Sequence, residues 1–572
     1  MKATDCIVRF LESLGVSYVF GYQGGMITHL VDSLSKHEKV KYIQCYHEQS
    51  AAFAAEGYAL ESGKLGVAIS TSGPGATNMV TGIADAYFGS VPVLYITGQV
   101  NSYEYKYDKK IRQSGFQETD IVSIVKPITK YATLVDNASK LENEMKKAIS
   151  IAFSGRKGPV LLDLPMNIQR AEINEFDYSF ELSEDEYIIN QDEFEKAYAL
   201  LKTAKRPFLI CGNGIFQSRS KKEVCNFLEH SKLPYAVSML GKGCVDENAD
   251  GFCGMIGSYG NRCANIILSQ ADVVLALGSR LDLRQTGNVN SELLKKISFI
   301  HVDIDEHELY DSNLTKKLNI HASLKDFLKL LTGKDISVPD EWRSYCIKIK
   351  TDYSQWQEMI RFPEKADPYK AIDLIRNVVK EKTSFVADIG QNQVWTAQML
   401  RLKSDDRLYT SGGLAPMGFA VPCAIGAAFA NPNRKIVCIV GDGGFHFALQ
   451  SLLLISQYHL NISVFILNNT SLGMITQFQT LYFNSNMAGT TKEGGYLVPD
   501  IKKLAEAYNL SYKYINNLFS KDIIAESGTI YEIKLPNLTS VVPKLEFDKD
   551  LDNMNPYLPE DERKNLKYYE KY

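Results

Sequence analysis

Short runs of β-branched and aliphatic residues recur along the chain, each closed by glycine or a turn residue and followed by a segment whose apolar positions have helical spacing. That alternation is the pattern of parallel sheets built from strand–helix–strand units. It falls into three blocks. Residues 66–70, 91–97 and 160–164 read as strands of the first, 207–211, 235–238, 272–277 and 299–303 of the second, and 384–388, 435–440, 462–467 and 530–535 of the third. The opening stretch, MKATDCIVRFLESLGVSYVF, interrupts its apolar residues with Asp5, Arg9 and Glu12 and reads as one amphipathic helix rather than a signal peptide. An acidic stretch over 172–195 and a polar region over 340–368, with Pro363 and Pro368, read as linkers. The expected organisation is α/β throughout, with three doubly wound parallel-sheet domains over 1–185, 186–345 and 365–540 and a tail over 541–572. No short-period repeat is visible.

Composition narrows the function classes. A length of 572 residues suits about three to four domains. With 63 Lys and Arg against 67 Asp and Glu, a net charge of −4 and no basic block, a nucleic-acid partner is not expected. Apolar runs stay far below the roughly 18 residues that span a bilayer, so no membrane partner is expected either. Ten cysteines are scattered without CxxC pairs, which fits a reducing cytoplasm better than a disulfide or zinc framework.

Three motifs carry candidate chemistry. Gly441-Asp442-Gly443-Gly444 follows the strand KIVCIV, and Asn468-Asn469 ends the next strand, ISVFIL; Asp442 and Asn469 are 27 residues apart, one strand–helix–strand unit. Both would then emerge at the same carboxyl edge, where hard oxygen ligands beside glycines suit Mg²⁺ carrying a diphosphate. A GDG by itself is usually a turn, and it is the paired spacing that favours the metal reading. Glu48, in YHEQ ahead of the Ala-rich AAFAAEGYAL, would be a partly desolvated carboxylate fit for acid-base work, or a helix-start carboxylate favoured by the dipole. STSGPGATN over 70–78 is a strand-to-helix turn that either approaches a ligand or simply reverses the chain.

Together with VFGYQGG (19–25), HEQSAAFAAEGYA (47–59), FQETD (116–120), GPVLLDLP (158–165), SRLDLRQTG (279–287), SGGLAPMGFAVPCAIGAA (411–428) and NNTSLGMITQFQ (468–479), these motifs make the chain resemble the thiamine diphosphate enzymes, most closely the acetolactate synthase-like branch, over about residues 1–535. The resemblance implies a pyrimidine-binding, a central and a diphosphate-binding domain. It also implies an active site between two subunits, and so a homodimer or dimer of dimers. Glu48 would hydrogen-bond the aminopyrimidine ring and Gln117 would lie near the reacting centre. Tyr22, Gly24, Gly25, Thr71, Gly73 and Asn78 would contact the cofactor from the first domain. Gly390, Gln391, Asn392, Ala415, Met417, Gly441, Gly443, Gly444, Leu472, Gly473, Met474 and Ile475 would contact it from the third. Asp442, Asn469 and the Ser471 carbonyl would hold Mg²⁺. Arg156 from the first domain and Gly212, Gly214 and Arg280 of the central domain, with GSYG at 257–260, match flavin contacts; such glycines and arginines also end ordinary strands, so FAD and a plain sheet edge both remain readings.

The implied activity is decarboxylation of a 2-keto acid, pyruvate, with transfer of the two-carbon unit to a second carbonyl. Departures from the branch bear on the acceptor. Phe478 replaces a tryptophan, Met166 a lysine and Asn392 a histidine, and residues 100–115 form a longer segment containing Lys106, Lys109, Lys110 and Arg112. That segment is either a solvated loop or a contact for an anionic acceptor such as a keto nucleotide sugar. A catalytically silent scaffold is the third reading, and the intact Glu48, Asp442 and Asn469 weigh against it.

Overall fold

A computed structural model describes residues 1–182, 185–287, 294–310, 314–520 and 522–568. The first sheet contains β1 (Tyr18–Gly21), β2 (Lys41–Gln44), β3 (Gly66–Ser70), β4 (Val93–Gln99), β5 (Tyr131–Leu134) and β6 (Val160–Pro165) in the order β2-β1-β3-β4-β6-β5. The second contains β7 (Pro207–Cys211), β8 (Tyr235–Val237), β9 (Phe252–Met255), β10 (Val273–Leu277), β11 (Ser298–Asp303) and β12 (Lys317–His321) in the order β12-β11-β10-β7-β8-β9. The third contains β13 (Thr383–Ala387), β14 (Arg407–Tyr409), β15 (Lys435–Gly441), β16 (Ile462–Asn468), β17 (Ser511–Ile515) and β18 (Thr529–Lys534) in the order β14-β13-β15-β16-β18-β17. Every pairing is parallel. Strands such as β4, β7 and β10 are buried along their whole length because helices cover both faces, which is why they read as unbroken apolar runs.

The first and third sheets share one strand order. The central sheet has the other doubly wound order, in which the direction of strand addition reverses between β7 and β10 and opens a crevice at their carboxyl ends. The first and third domains also share a core. The helix Glu48–Ser62 crosses the helix Ala420–Ala430 at a distance only glycine permits: a Cβ on Gly57 would lie 2.1 Å from the Cys423 carbonyl oxygen, and one on Gly426 1.8 Å from that of Ala54.

Three expectations need correction. The opening helix spans only Ala3–Ser13, since Gly15 takes a left-handed φ of +73° and the chain then enters β1. The acidic stretch is not simply solvated: Phe176 is buried against Phe10, and the helix Gln191–Thr203 begins within it. The polar region over 340–368 is largely helical, with helices Asp340–Asp352 and Gln355–Arg361, and it buries Trp342, whose indole donates to the Pro207 carbonyl (2.9 Å). The tail lies back across the central domain, where the buried Arg262 donates to Glu358 (2.6 and 3.1 Å) and to the Met554 and Pro556 carbonyls. All ten cysteines are free. Among the described residues no helix is long and apolar enough to cross a membrane.

Candidate active site

In the third sheet β15 and β16 are in register with Gly441 opposite Leu467, so their chains leave the sheet side by side and Asp442 meets Asn469. Asp442 opens the short helix Asp442–His446 and is buried. Its Oδ2 accepts the Thr470 amide (2.7 Å) and its Oδ1 the Tyr496 hydroxyl (2.7 Å). Burial pushes this carboxyl above the usual carboxylate range, and the two donors pull the other way. Thr470 has φ +52°, an uncommon conformation for a β-branched residue, and it turns the chain back toward Asp442.

The Asn469 carboxamide fits this corner in two orientations. With its nitrogen inward it donates to Asp442 Oδ2 (3.2 Å) and the Ser471 carbonyl (2.8 Å). With its oxygen inward its nitrogen donates to Thr539 Oγ1 (2.8 Å), and the Asn469 oxygen faces the Asp442 and Ser471 oxygens at those same distances with no hydrogen between them. Neighbouring oxygens of an octahedral Mg²⁺ stand about 2.9 Å apart, because each lies about 2.1 Å from the ion. The corner therefore fits Mg²⁺ with one carboxylate and two neutral oxygens. Among the described residues no cluster of three His, Cys, Asp or Glu side chains offers another metal site.

Around this corner neighbouring side chains crowd the third domain's glycines closely. A Cβ on Gly443 would lie 2.8 Å from Leu472, 3.0 Å from Met417 and 3.2 Å from the Tyr496 hydroxyl; one on Gly473 would lie 2.1 Å from Gln391 Oε1. Gln391 donates to the Thr539 carbonyl (2.9 Å), and Asn392 donates to the Asp388 carbonyl (2.8 Å) while its Oδ1 faces Gly390 and Gly441. Asp388 lies behind Gly444 and accepts the amides of Ile389, Gly418 and Ala420, building the turn that carries Met417; burial pushes its carboxyl up to about 6. Ala415 in that turn has φ +63°. Met474 faces away toward the Tyr259 hydroxyl, and Ile475 is half-exposed.

The first domain gathers a second group. His47 caps the helix Glu48–Ser62 through Nδ1, which accepts the Gln49 amide (3.1 Å), and leaves Glu48 buried in the first turn. Asn78 donates to Glu48 Oε2 (2.9 Å). A Cβ on Gly75 would lie 3.1 Å from Glu48 Oε1, and one on Gly24 2.6 Å from Thr71. Gly73, at φ +61°, backs onto Gln117, itself left-handed at φ +62°. Gly25 faces open space and Tyr22 is exposed. Among the described residues no hydrogen bond joins this group to the Asp442 group within one chain.

The sequence relationships coincide with this division. Residues 1–124 match the thiamine pyrophosphate enzyme N-terminal TPP binding domain, 194–331 its central domain and 388–528 its C-terminal TPP binding domain. The acetolactate synthase large subunit of Lactococcus lactis is 34% identical over 573 residues, covering 97% of this chain and 96% of that one. The acetolactate synthase isozyme 2 large subunit of Escherichia coli is 35% identical over 90% of this chain and 91% of its own length, and the large subunit of Cyanidium caldarium 36% over 94% and 92%. The chain belongs to the thiamine pyrophosphate enzymes.

In this thiamine pyrophosphate enzyme a cavity of about 660 Å³ opens at the β7/β10 crevice, walled by Gly214, Tyr259, Arg280 and Asp303 of the central domain and by Phe88 and Arg156 of the first. Gly212 stands at the strand crossing behind it, where a Cβ would lie 2.1 Å from the Gly278 carbonyl oxygen. Arg156 pairs with Asp305 (3.1 Å) and Glu308 (2.5 Å), and Arg280 with Asp282 (2.7 Å), so both guanidiniums are held in place at the wall.

Tyr496, Thr470, Thr539 and Asp388 all shape the third-domain site and were not singled out by sequence. Tyr496 and Thr539 arrive from loops after the helix Gly473–Tyr482 and after β18, and no periodicity marks them. Asp388 ends a predicted strand and was legible only as a strand terminus.

Proposed function

We propose that this enzyme is a thiamine diphosphate- and Mg²⁺-dependent carboligase that releases carbon dioxide from pyruvate and passes the two-carbon unit to a second 2-keto acid. The observation that carries this reading is the convergence of the Asp442, Asn469 and Ser471 oxygens at the β15/β16 edge, a fit for a metal that holds a diphosphate. Thiamine diphosphate, when bound, supplies a nucleophilic carbon and an electron sink for the decarboxylation. The chain's own part is positional and electrostatic. Asp442, Asn469 and the Ser471 carbonyl would hold Mg²⁺, Gly443, which has no side chain, would let the diphosphate approach, and Met417 would support the cofactor. Glu48, kept from water and oriented by Asn78, moves a proton at the aminopyrimidine ring nitrogen. Kinship with the thiamine pyrophosphate enzymes supports a site completed across a homodimer. The crevice and its cavity support FAD as a further bound group.

A second reading of the acceptor has its own support. The longer segment over 100–115 is a built loop, held by the residues that follow it: buried Glu118 accepts the amides of Lys106 (2.9 Å), Ser114 (2.6 Å) and Gly115 (3.0 Å), and Gln99 donates to the Thr119 carbonyl (2.8 Å). Burial pushes the Glu118 carboxyl up, and the three amides outweigh it and hold it below the usual range. The loop exposes Lys109, Lys110, Arg112, Tyr103 and Phe116, and Phe116 directly precedes Gln117. Cations and aromatic faces there suit a keto nucleotide sugar as acceptor.

The test is incubation with thiamine diphosphate, Mg²⁺ and pyruvate, with carbon dioxide and acetolactate quantified and the flavin spectrum recorded. Acetolactate is the expected product. Carbon dioxide release with acetolactate absent would move the assignment to the sugar acceptor, and no turnover of any 2-keto acid would overturn it.

A further inference from the structure

Two carboxyls outside the site just described are enclosed together beneath it. Glu56, on the helix Glu48–Ser62, and Asp85, on the helix Val80–Gly89, are 3% and 2% exposed. Glu56 Oε2 and Asp85 Oδ2 are fully enclosed, and among the described residues neither receives a hydrogen bond from an amide, hydroxyl or cation. The titratable groups that reach the pair are Tyr95 from β4, Cys423 from the helix Ala420–Ala430 and Asp388 from the end of β13, none of them a cation. Tyr95 gives its hydroxyl to the Gly82 carbonyl (3.2 Å). The other side of Asp85 is occupied: Oδ1 accepts the Ser411 hydroxyl (2.5 Å), and Ser411 Oγ accepts the Ala415 amide (2.9 Å). Ser411 and Ala415 belong to the turn that carries Met417, which Asp388 pins from the opposite side through Gly418 and Ala420.

Two ionised carboxylates enclosed without donors cannot stand against each other, because neither charge is solvated and each repels the other. One proton between them removes both costs and makes a donor where none exists. We infer that Glu56 and Asp85 share a proton at neutral pH, and that through Ser411 this pair is the first domain's hold on the left-handed turn presenting Met417. Burial pushes both carboxyls above the usual carboxylate range, in keeping with the geometry. Glu56, Asp85 and Ser411 are positioning residues. The consequence for the cofactor rests on the proposed function, whereas the shared proton and the hold on the turn do not.

The experiment uses the full-length protein with Glu56→Gln, Glu56→Ala and Ser411→Ala variants. Infrared difference spectra of wild type against Glu56→Gln at neutral pH should show the carbonyl stretch of a buried protonated carboxyl, lost in the variant. Amide hydrogen exchange across 411–420 should be about tenfold faster in Ser411→Ala. Glu56→Ala should behave alike, while Glu56→Gln, whose amide still donates to Asp85, should exchange as the wild type does. Thiamine diphosphate affinity, titrated by calorimetry at saturating Mg²⁺, should follow the same order. Absence of the protonated-carboxyl band overturns the shared proton, and unchanged exchange in Ser411→Ala overturns the hold on the turn. A wild type that shows the band and the protection but binds no thiamine diphosphate sinks the proposed function and leaves this inference standing. Should Glu56→Ala fail to fold, the other two variants decide the matter.

Discussion

The first and third domains have the same strand order and put different chemistry at the same place. After β3 the chain runs through Thr71, Gly73 and Gly75, neutral and glycine-lined, with Glu48 and Gln117 brought in from elsewhere. After β15, the equivalent strand, it runs directly into Asp442, and after β16, the equivalent of β4, into Asn469. Topology fixes where a ligand can sit at a parallel sheet's carboxyl edge. On the function proposed above, the residues in the turn decide what it is: a glycine-lined cradle for a ring in one domain, a cation corner for an anion in the other.

This contrast yields tests of decreasing size. Glu48→Gln should slow carbon dioxide release from pyruvate by about 10²–10⁴-fold while thiamine diphosphate still binds, a split that steady-state kinetics and calorimetry together resolve. Asp442→Ala should do the reverse and strike binding itself. The loss of Mg²⁺-dependent affinity should exceed the roughly 100-fold that an outer-shell partner is worth. If both variants lost binding equally, the division of labour between the domains would be wrong. Tyr496→Phe removes one charged hydrogen bond from Asp442 and should weaken Mg²⁺ about tenfold, read from the metal dependence of cofactor binding.

The smallest effect is on stability. Burial raises Asp163 in the first domain to about 7, against donors from Thr97 and Gln99, and Asp388 in the third to about 6. A carboxyl raised on folding takes up a proton, so its stabilising share is complete below the unfolded value near 4 and is lost as pH rises through the folded value. Asp163→Asn should therefore flatten the rise in melting temperature on acidification between about pH 7 and 4. The slope that remains is shared by the other raised carboxyls, Asp388 in the third domain, Asp303 in the central domain and the Glu56 and Asp85 pair in the first, and a slope unchanged by the substitution would count against a protonated Asp163.

Sequence legibility followed burial. The interior strands β3, β4, β6, β7, β8, β10, β11, β13, β15, β16 and β18 all stand out as apolar runs, because helices cover both faces. The edge strands do not: β2, β5, β12 and β17 are largely exposed or half-exposed and mix Lys, Thr, Asn and Tyr, so nothing separates them from loop by composition, while β9 and β14 are mostly buried and only four and three residues long, too short to form an apolar run. The interior strand β1 was absorbed into the helix before it because Gly15 alone marks the boundary. At the site, Asp442 and Asn469 were readable because the chain itself spaces them. Tyr496, Thr539 and Asp388 act through tertiary placement, which no local pattern encodes.

The glycine crossing of the helices Glu48–Ser62 and Ala420–Ala430 has a consequence for biosynthesis. The first helix is apolar or small on nearly every side and stays uncovered until its partner leaves the ribosome. At ordinary translation rates of about 5–20 residues per second that interval is roughly 20–70 s. The central domain is made in between; one of its core clusters is almost entirely its own, and the other waits for the tail residues Leu545, Leu551, Met554 and Leu558. The nascent first domain must therefore spend that time with an open apolar flank, and a chaperone that shields it from other emerging chains would raise the yield of active enzyme without touching the native state.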